Sequence, residues 1–339
     1  MLGIILIGLT ASYAGVFYFA YALRGANDSA RAAAVREAQV LAQYTAVLKA
    51  QEREASSTVL FAGDVMLSRG VGRMIARNGG NAAFPFALIA SSTRSADVFV
   101  GNLEGPISSR GEDWGNPISF RADPGVVPGL VSAGFGALTL ANNHMLDWGR
   151  AALADTVELL NNAGVKTVGA GRDEEAANQP LIVNTKGGHL ALLGYTNLNP
   201  KSFEAEGERP GTSHFDADRI ADTIRALKER GNVVAVLVHW GEEYRPHATA
   251  AQKAFAHALI DAGADLVIGS HPHVLEEVEH YKNGWIAYSL GTFVFDQNVS
   301  DATNRGGLFE VHLRHGAVDR AVLREVRINE NFQPQEVRL

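Results

Sequence analysis

The 339 residues include no cysteine. That absence removes disulfides, zinc-thiolate sites, iron–sulfur clusters and Cys nucleophiles together, and leaves any metal to His, Asp, Glu and Asn. Blocks of positive charge are missing too. Thirty Lys plus Arg against 37 Asp plus Glu give a net charge of -7 with no basic run. The electrostatic footprint of a nucleic-acid binder is therefore lacking, and no nucleic acid partner is expected. Internal repeats and low-complexity tracts are absent beyond an alanine bias between residues 30 and 55. With 46% hydrophobic residues, disorder is excluded for most of the chain, and there is apolar material for one large or two small domains.

Long uncharged apolar runs are equally scarce, and the exception is Leu2 to Leu23. At about 1.5 Å per residue it reaches roughly 33 Å, enough to cross a hydrocarbon core. Residues 1–23 are expected to be a transmembrane helix or signal anchor. A cleaved signal peptide is the competing reading, because Ala20-Tyr21-Ala22 has the small-x-small form of a cleavage site. Arg24, Arg31 and Arg36 follow the run, so the positive-inside rule alone would keep the body of the chain in the cytoplasm. Residues 24–57 contain one Gly, at position 25, and no Pro. They read as a polar helical stalk, with Val40, Leu41, Tyr44, Val47 and Leu48 at helical spacing and a self-associating coil as the other option.

From Thr58 the pattern changes to short apolar runs alternating with helical stretches, which predicts an α/β domain over 58–329 with central strands buried on both faces. The runs are 59–62, 98–101, 137–141, 190–194, 233–238, 266–269 and 285–289. Helices are expected at 68–78, 125–133, 150–163, 217–230 and 248–262, several stopped by a glycine. Residues 308–315 and 320–327 read as a β pair closing the sheet.

Five of the apolar runs stop at a polar cluster: Gly63-Asp64-Val65-Met66, Gly101-Asn102-Leu103-Glu104, Ala141-Asn142-Asn143-His144, His239-Trp240-Gly241 and Gly269-Ser270-His271-Pro272-His273. Ligands of open α/β sheets bind outside the carboxyl ends of strands, so these loops can converge on one site. Hard oxygens and imidazoles without sulfur suit a divalent transition ion such as Mn, Fe or Zn, as one or two ions. Singly, Asp64 reads more often as a turn or helix cap than as a ligand, and His239 as a satisfied core residue. His271-Pro272-His273 is the sharpest signal, because on an extended backbone both rings project to one side. Asp147, three residues after His144, could orient its ring or cap the helix near Arg150. Glu243 and Tyr244 border the site as ligand orienters, substrate contacts or a solvated turn.

In order, Phe61-Ala-Gly-Asp-Val-Met-Leu67, Gly101-Asn-Leu-Glu104, Leu140-Ala-Asn-Asn-His-Met-Leu-Asp-Trp-Gly149, Val238-His-Trp-Gly-Glu-Glu-Tyr244, Leu259 to Gly269, His271-Pro-His-Val274 and Ala287 to Gln297 resemble the bacterial capsule-synthesis CapA family, over about residues 58 to 326. That family is associated with poly-γ-glutamate synthesis or export. It is similar in turn to the calcineurin-like metallophosphatases, which implies a two-sheet β-sandwich flanked by helices with a metal site at the strand ends. The resemblance implies metal ligands at Asp64, Glu104, Asn143, His239, His271 and His273, with Glu104 as the bridge and His144 as acid or charge stabiliser; Asp147, in its orienting reading, joins His144 as the candidate catalytic pair. Asn102, Glu243 and Tyr244 are the candidate substrate contacts. Family members often carry an N-terminal anchor, which implies a single-pass protein of the cell membrane with the domain on the extracytoplasmic side. The implied partners are an anionic polymer and its synthase complex in the membrane. Met66 departs from the superfamily, which has a histidine two residues after the first aspartate. Ser270 and Thr292 are smaller departures. Three functions stay open: a capsule or poly-γ-glutamate factor, a cell-envelope metallohydrolase cleaving a phosphoester or γ-amide, and a non-catalytic assembly scaffold.

Overall fold

A computed structural model of the chain describes residues 28–337. The expected membrane segment 1–23 lies outside the described residues. Among those described, no helix is long and apolar enough to cross a membrane. Two units are present, Met1–Glu54 and Ala55–Leu339. In the first, a helix runs over Asp28–Glu54 with Val40, Leu41, Tyr44 and Val47 exposed. It stops three residues short of the expected 57. Ser56 and Ser57 instead start a strand, paired with Arg314 and Leu313, and the Ser57 hydroxyl accepts the Gly187 N–H.

The second unit is a sandwich of two sheets with helices on both outer faces. The first sheet has a parallel core: β1 (Ser56–Val65), β2 (Val98–Leu103), β3 (Ala137–Thr139) and β4 (Lys166–Val168). On the other side of β1 it continues antiparallel through β14 (Arg305–Arg314), β15 (Ala317–Ile328) and β16 (Pro334–Glu336). The 308–327 pair is therefore not the edge; β16, beyond residue 329, pairs outside it. The second sheet holds parallel strands β7 (Gly188–Thr196), β9 (Val233–His239), β10 (Leu266–Ser270) and β12 (Gly284–Ala287). Antiparallel edges β6 (Leu181–Thr185) and β11 (Val278–Tyr281) flank them. A two-residue pair, β5 (Ala170–Gly171) with β8 (Gly211–Thr212), stands apart.

Period-two alternation sorts each strand's side chains between two cores. Val59 and Phe61, Val98 and Val100, Val233, Ala235 and Leu237, and Leu266 and Ile268 point between the sheets. Their neighbours point outward. Leu60, Ala62 and Phe99 pack beneath Val71 and Ile75 of the helix Arg69–Arg77 and Leu153 and Leu160 of the helix Gly149–Asn162. Val234, Val236 and Val267 pack beneath Ile224 of Ala217–Glu229 and Leu259 of Ala250–Asp261. Both faces of the central strands are buried, which is why they read as continuous apolar runs rather than alternating ones. All five expected helices are present within a few residues, although 124–126 form a 3₁₀ turn before the helix Val127–Ala133.

One irregularity positions the chemistry. β1 pairs with β14 up to Ala62, then exchanges it at Asp64 for the parallel strand β13 (Thr292–Val294). Gly63 sits at the exchange, where a Cβ would lie 1.9 Å from the Gly291 carbonyl oxygen. Only glycine allows that approach of two backbones.

Candidate metal centre

Strand register aligns the polar residues at one end of the sandwich. Asp64 stands opposite Asn102 in the first sheet, and His239 opposite Ser270 in the second. Glu104 follows β2, Asn142 to His144 follow β3, and His271 and His273 follow β10. The groups come from both sheets and meet between them. Asn102 Nδ2 donates to Asp64 Oδ1 at 2.8 Å and lies 3.3 Å from His239 Nδ1. Asn142 donates to Asn102 Oδ1 at 3.1 Å and to the Leu103 carbonyl at 2.7 Å. His239 is hydrogen-bonded through both ring nitrogens, Nδ1 with Ser270 Oγ at 3.0 Å and Nε2 with Asn143 Oδ1 at 2.8 Å.

The oxygens and nitrogens left over define the centre. Both Glu104 carboxylate oxygens are buried without a hydrogen-bond partner, as are His271 Nδ1 and His273 Nδ1. Glu104 Oε1 lies 3.7 Å from His273 Nε2 and 3.8 Å from His144 Nε2. His273 Nδ1 lies 3.1 Å from Asp64 Oδ2, yet out of hydrogen-bonding alignment, so the contact leaves that nitrogen unpartnered. Two separate groups of potential donors stand here: Asp64, Glu104 and His239, and Glu243, His271 and His273. Burial, followed by the neighbouring carboxylates of Asp64, Glu243 and Asp147, pushes the Glu104 carboxyl well above its ordinary range. Burial, reinforced by the other histidines, pushes His239 well down and His271 down to about 4. These two are neutral imidazoles, the form that ligates metals. A buried carboxylate without donors, beside His271 and His273 whose Nδ1 atoms are unpartnered, fits a divalent cation, which would supply the missing charge.

The extended backbone expected for His271-Pro272-His273 is not found. Both histidines lie in the left-handed region, with φ of 98° and 58°. The rings still approach, at 5.9 Å between centroids, because the loop is held at both sides of Pro272. The His271 N–H donates to Asp64 Oδ2 at 3.3 Å, and the Pro272 carbonyl accepts the Tyr244 N–H at 2.8 Å. Such backbone strain persists only where surroundings enforce it.

Asp147 takes the orienting role rather than capping. Its Oδ2 is 2.8 Å from His144 Nδ1 and accepts the Phe120 N–H at 2.8 Å, while Oδ1 accepts from Asn116 at 2.8 Å. The following helix has no side-chain cap from it. Because a carboxylate only accepts, the His144 proton sits on Nδ1, leaving Nε2 toward Glu104. Met66 is fully buried, with its sulfur accepting from the Ser68 hydroxyl at 2.9 Å; it packs in the core and adds no ligand. Tyr244, at φ 63°, stays partly exposed with its hydroxyl accepting from Gln297 at 3.0 Å; burial and Glu243 push that phenol up to about 12.

Sequence reasoning missed four contributors: Asn116 and Phe120, the Ser270 bond to His239, and Arg69. Phe120 lies against the His144 ring at 4.2 Å, and the Arg69 guanidinium is 5.3 Å from the Phe120 ring centre. Nothing periodic marks 106–123, a loop between β2 and the next helix, so only its proximity in space identifies it.

Residues 58–297 match the family described as Bacterial capsule synthesis protein PGA_cap. The chain is 35% identical over 297 residues to the capsule biosynthesis protein CapA of Bacillus anthracis, covering 85% of this chain and 70% of that one. It is 32% identical over 273 residues to the PGA biosynthesis protein CapA of Bacillus subtilis, covering 80% and 71%. Among solved structures it is similar to the NAD nucleotidase of Haemophilus influenzae, at 13% identity and a TM-score of 0.45. That likeness covers 84% of this chain and 60% of the other. On the extent of the match, the chain belongs to the PGA_cap family of bacterial capsule synthesis proteins.

Proposed function

We propose that this protein is a membrane-anchored factor of capsule or poly-γ-glutamate synthesis or export. In this reading its domain lies on the extracytoplasmic side, its centre binds one or two divalent ions, and through them it holds an anionic polymer made by a synthase complex in the membrane. The observation that carries the metal reading is Glu104, whose two buried oxygens have no donor while three other metal-ligating side chains surround it. When bound, the ion supplies positive charge that attracts and polarises an anionic group. The chain's own residues do the rest. Asp64 and Glu104 fix the charge of the centre, Asn102 and Asn142 hold Asp64 and each other in register, and the apolar rings of Phe120 and Phe295 wall off water beside His144 and His273. The polymer reading is supported by family membership, and the anchor by the apolar sequence of residues 1–23.

A second reading, metallohydrolase, is favoured by the His144–Asp147 pair. His144 Nε2 can take a proton and, as imidazolium, return it to a leaving oxygen or nitrogen, with the Asp147 carboxylate steadying the charged ring. Elemental analysis of the full chain beside His273→Ala, with turnover of a generic phosphoester on the same samples, tests both. One or two transition ions in the wild type, lost in the variant, support the metal centre, and turnover decides for hydrolysis. No stoichiometric metal after incubation with Mn, Fe and Zn refutes the metal reading.

A further inference from the structure

Next to the centre is a cavity of about 640 Å³ that none of the motifs accounts for. Three arginines line it: Arg69, Arg73 and Arg121. In a chain of net charge -7 this local excess is informative. Two carboxylates lie nearby, so the three arginines keep an excess of one positive charge. Asp296 pairs with Arg69 at 3.1 Å and accepts the Gly70 N–H at 2.7 Å, while Asp123 accepts the Gly125 N–H at the start of a helical turn. Among the described residues no carboxylate lies within ion-pair distance of Arg73 or Arg121. Arg121 is pre-oriented by stacking, with its guanidinium 3.5 Å from the Trp148 ring centre. Arg69 is held by its bridge to Asp296. Leu67, Ile75 and Val126, all buried, form an apolar floor. Phe120 joins cavity and centre: one neighbour of its ring is His144 and another is Arg69.

We infer that this cavity is a subsite for an extended carboxylate polymer, taking successive carboxylates on Arg73, Arg121 and Arg69 and methylene segments on the apolar floor while an adjoining unit reaches the metal centre. The inference rests on the polymer reading proposed above and adds the place and the residues. Size favours an oligomer over a lone anion, since cavities of roughly 300–1,000 Å³ enclose ligands of many atoms. Guanidinium groups suit carboxylates because their planar fork donates two parallel hydrogen bonds.

The test is fluorescence anisotropy of labelled γ-linked glutamate monomer, dimer, tetramer and octamer with the full chain in neutral detergent. The chains compared are wild type, Arg73→Ala, Arg121→Ala, the double variant, and Arg225→Ala as a control on an exposed helix. Affinity is expected to climb with length, to fall roughly tenfold for each cavity arginine removed, as a charge-assisted contact is lost, and to weaken with added salt. The control should leave it unchanged, and melting temperatures of the surface variants should match the wild type. Length-dependent binding that is indifferent to Arg73 and Arg121 overturns the subsite while leaving the polymer reading intact. Wild-type chain that binds no oligomer overturns both. Tighter, arginine-dependent binding of an oligophosphate of equal charge overturns the assignment to carboxylates.

Discussion

Substituting Glu104 by glutamine should have opposite effects with and without metal. The side chain is fully buried, and both oxygens lack donors. In the metal-free protein an ionised Glu104 is an unpaired buried charge beside Asp64, and burial first, then Asp64, raises its folded-state pKa. A carboxyl whose pKa is raised on folding contributes stability at low pH that is lost as pH rises through the folded value. Glu104→Gln keeps the shape and removes the charge, so the metal-free variant should melt at the wild-type temperature or above it, and its stability should depend less on rising pH. With metal the order reverses. An ion at a hundred times its dissociation constant stabilises the folded state by about 2.7 kcal/mol. At about 2.1 cal/mol/K per residue, a unit the size of Ala55–Leu339 has an unfolding entropy of roughly 0.6 kcal/mol/K, so the wild type should gain about 4–5 °C. The variant should gain under about 1 °C if that carboxylate holds the ion. Differential scanning fluorimetry after chelation and after readdition of Mn, across a pH series, measures all four states. A variant that melts well below the wild type when metal-free, yet keeps the full metal-induced shift, would refute the assignment of Glu104 as a ligand and make it a structural acid.

Asp147→Asn replaces an acceptor by an amide that can donate to His144 Nδ1, which moves the ring proton to Nε2. If the centre turns over a phosphoester, kcat should fall by about a hundredfold or more with KM little changed, and an unchanged kcat sinks the orienting role. Glu276 is pushed by burial up to about 7, so it stabilises the protein below its ordinary value near 4.5 and progressively less as pH approaches and passes 7. Glu276→Gln should therefore flatten the loss of melting temperature over that window, and an identical slope in both proteins would contradict it. Leu237→Ala, between the sheets at 4% exposure, should cost about 2–5 kcal/mol in chemical denaturation. Gly63→Ala should cost comparably and also weaken metal binding, since it forces β1 from the Gly291 backbone where Asp64 begins to pair with β13; unaltered metal affinity would refute that coupling.

How much was legible in the chain varies with how local the cause is. Apolar runs such as 233–238 announce β9 because burial on both faces leaves no room for polar residues, and Gly134, at φ 88°, stops its helix by a purely local preference. Short strands such as β4 and β13 carry only three residues each and owe their form to partners far away in sequence. The donors at strand ends were recognisable because a polar cluster after an apolar run is costly unless something uses it. The contorted His271–His273 loop was not, since its geometry is imposed by Asp64 and Tyr244 from other elements. Asp147 illustrates the boundary: its spacing from His144 allowed two roles, and only the contacts with Asn116 and Phe120 separated them.

The division of donors between the two sheets has a kinetic consequence. Asp64 and Glu104 belong to one sheet and His239 to the other, so the group these three form needs both layers, whereas Glu243, His271 and His273 all follow strands of the second sheet. The Asp64, Glu104 and His239 group comes into being only when the layers dock and the apolar faces of β1, β2, β9 and β10 meet. A bound ion then acts as a latch on a closed structure. It should slow unfolding nearly in proportion to its affinity while leaving the refolding rate almost unaltered, because contacts formed after the transition state change only the rate of opening.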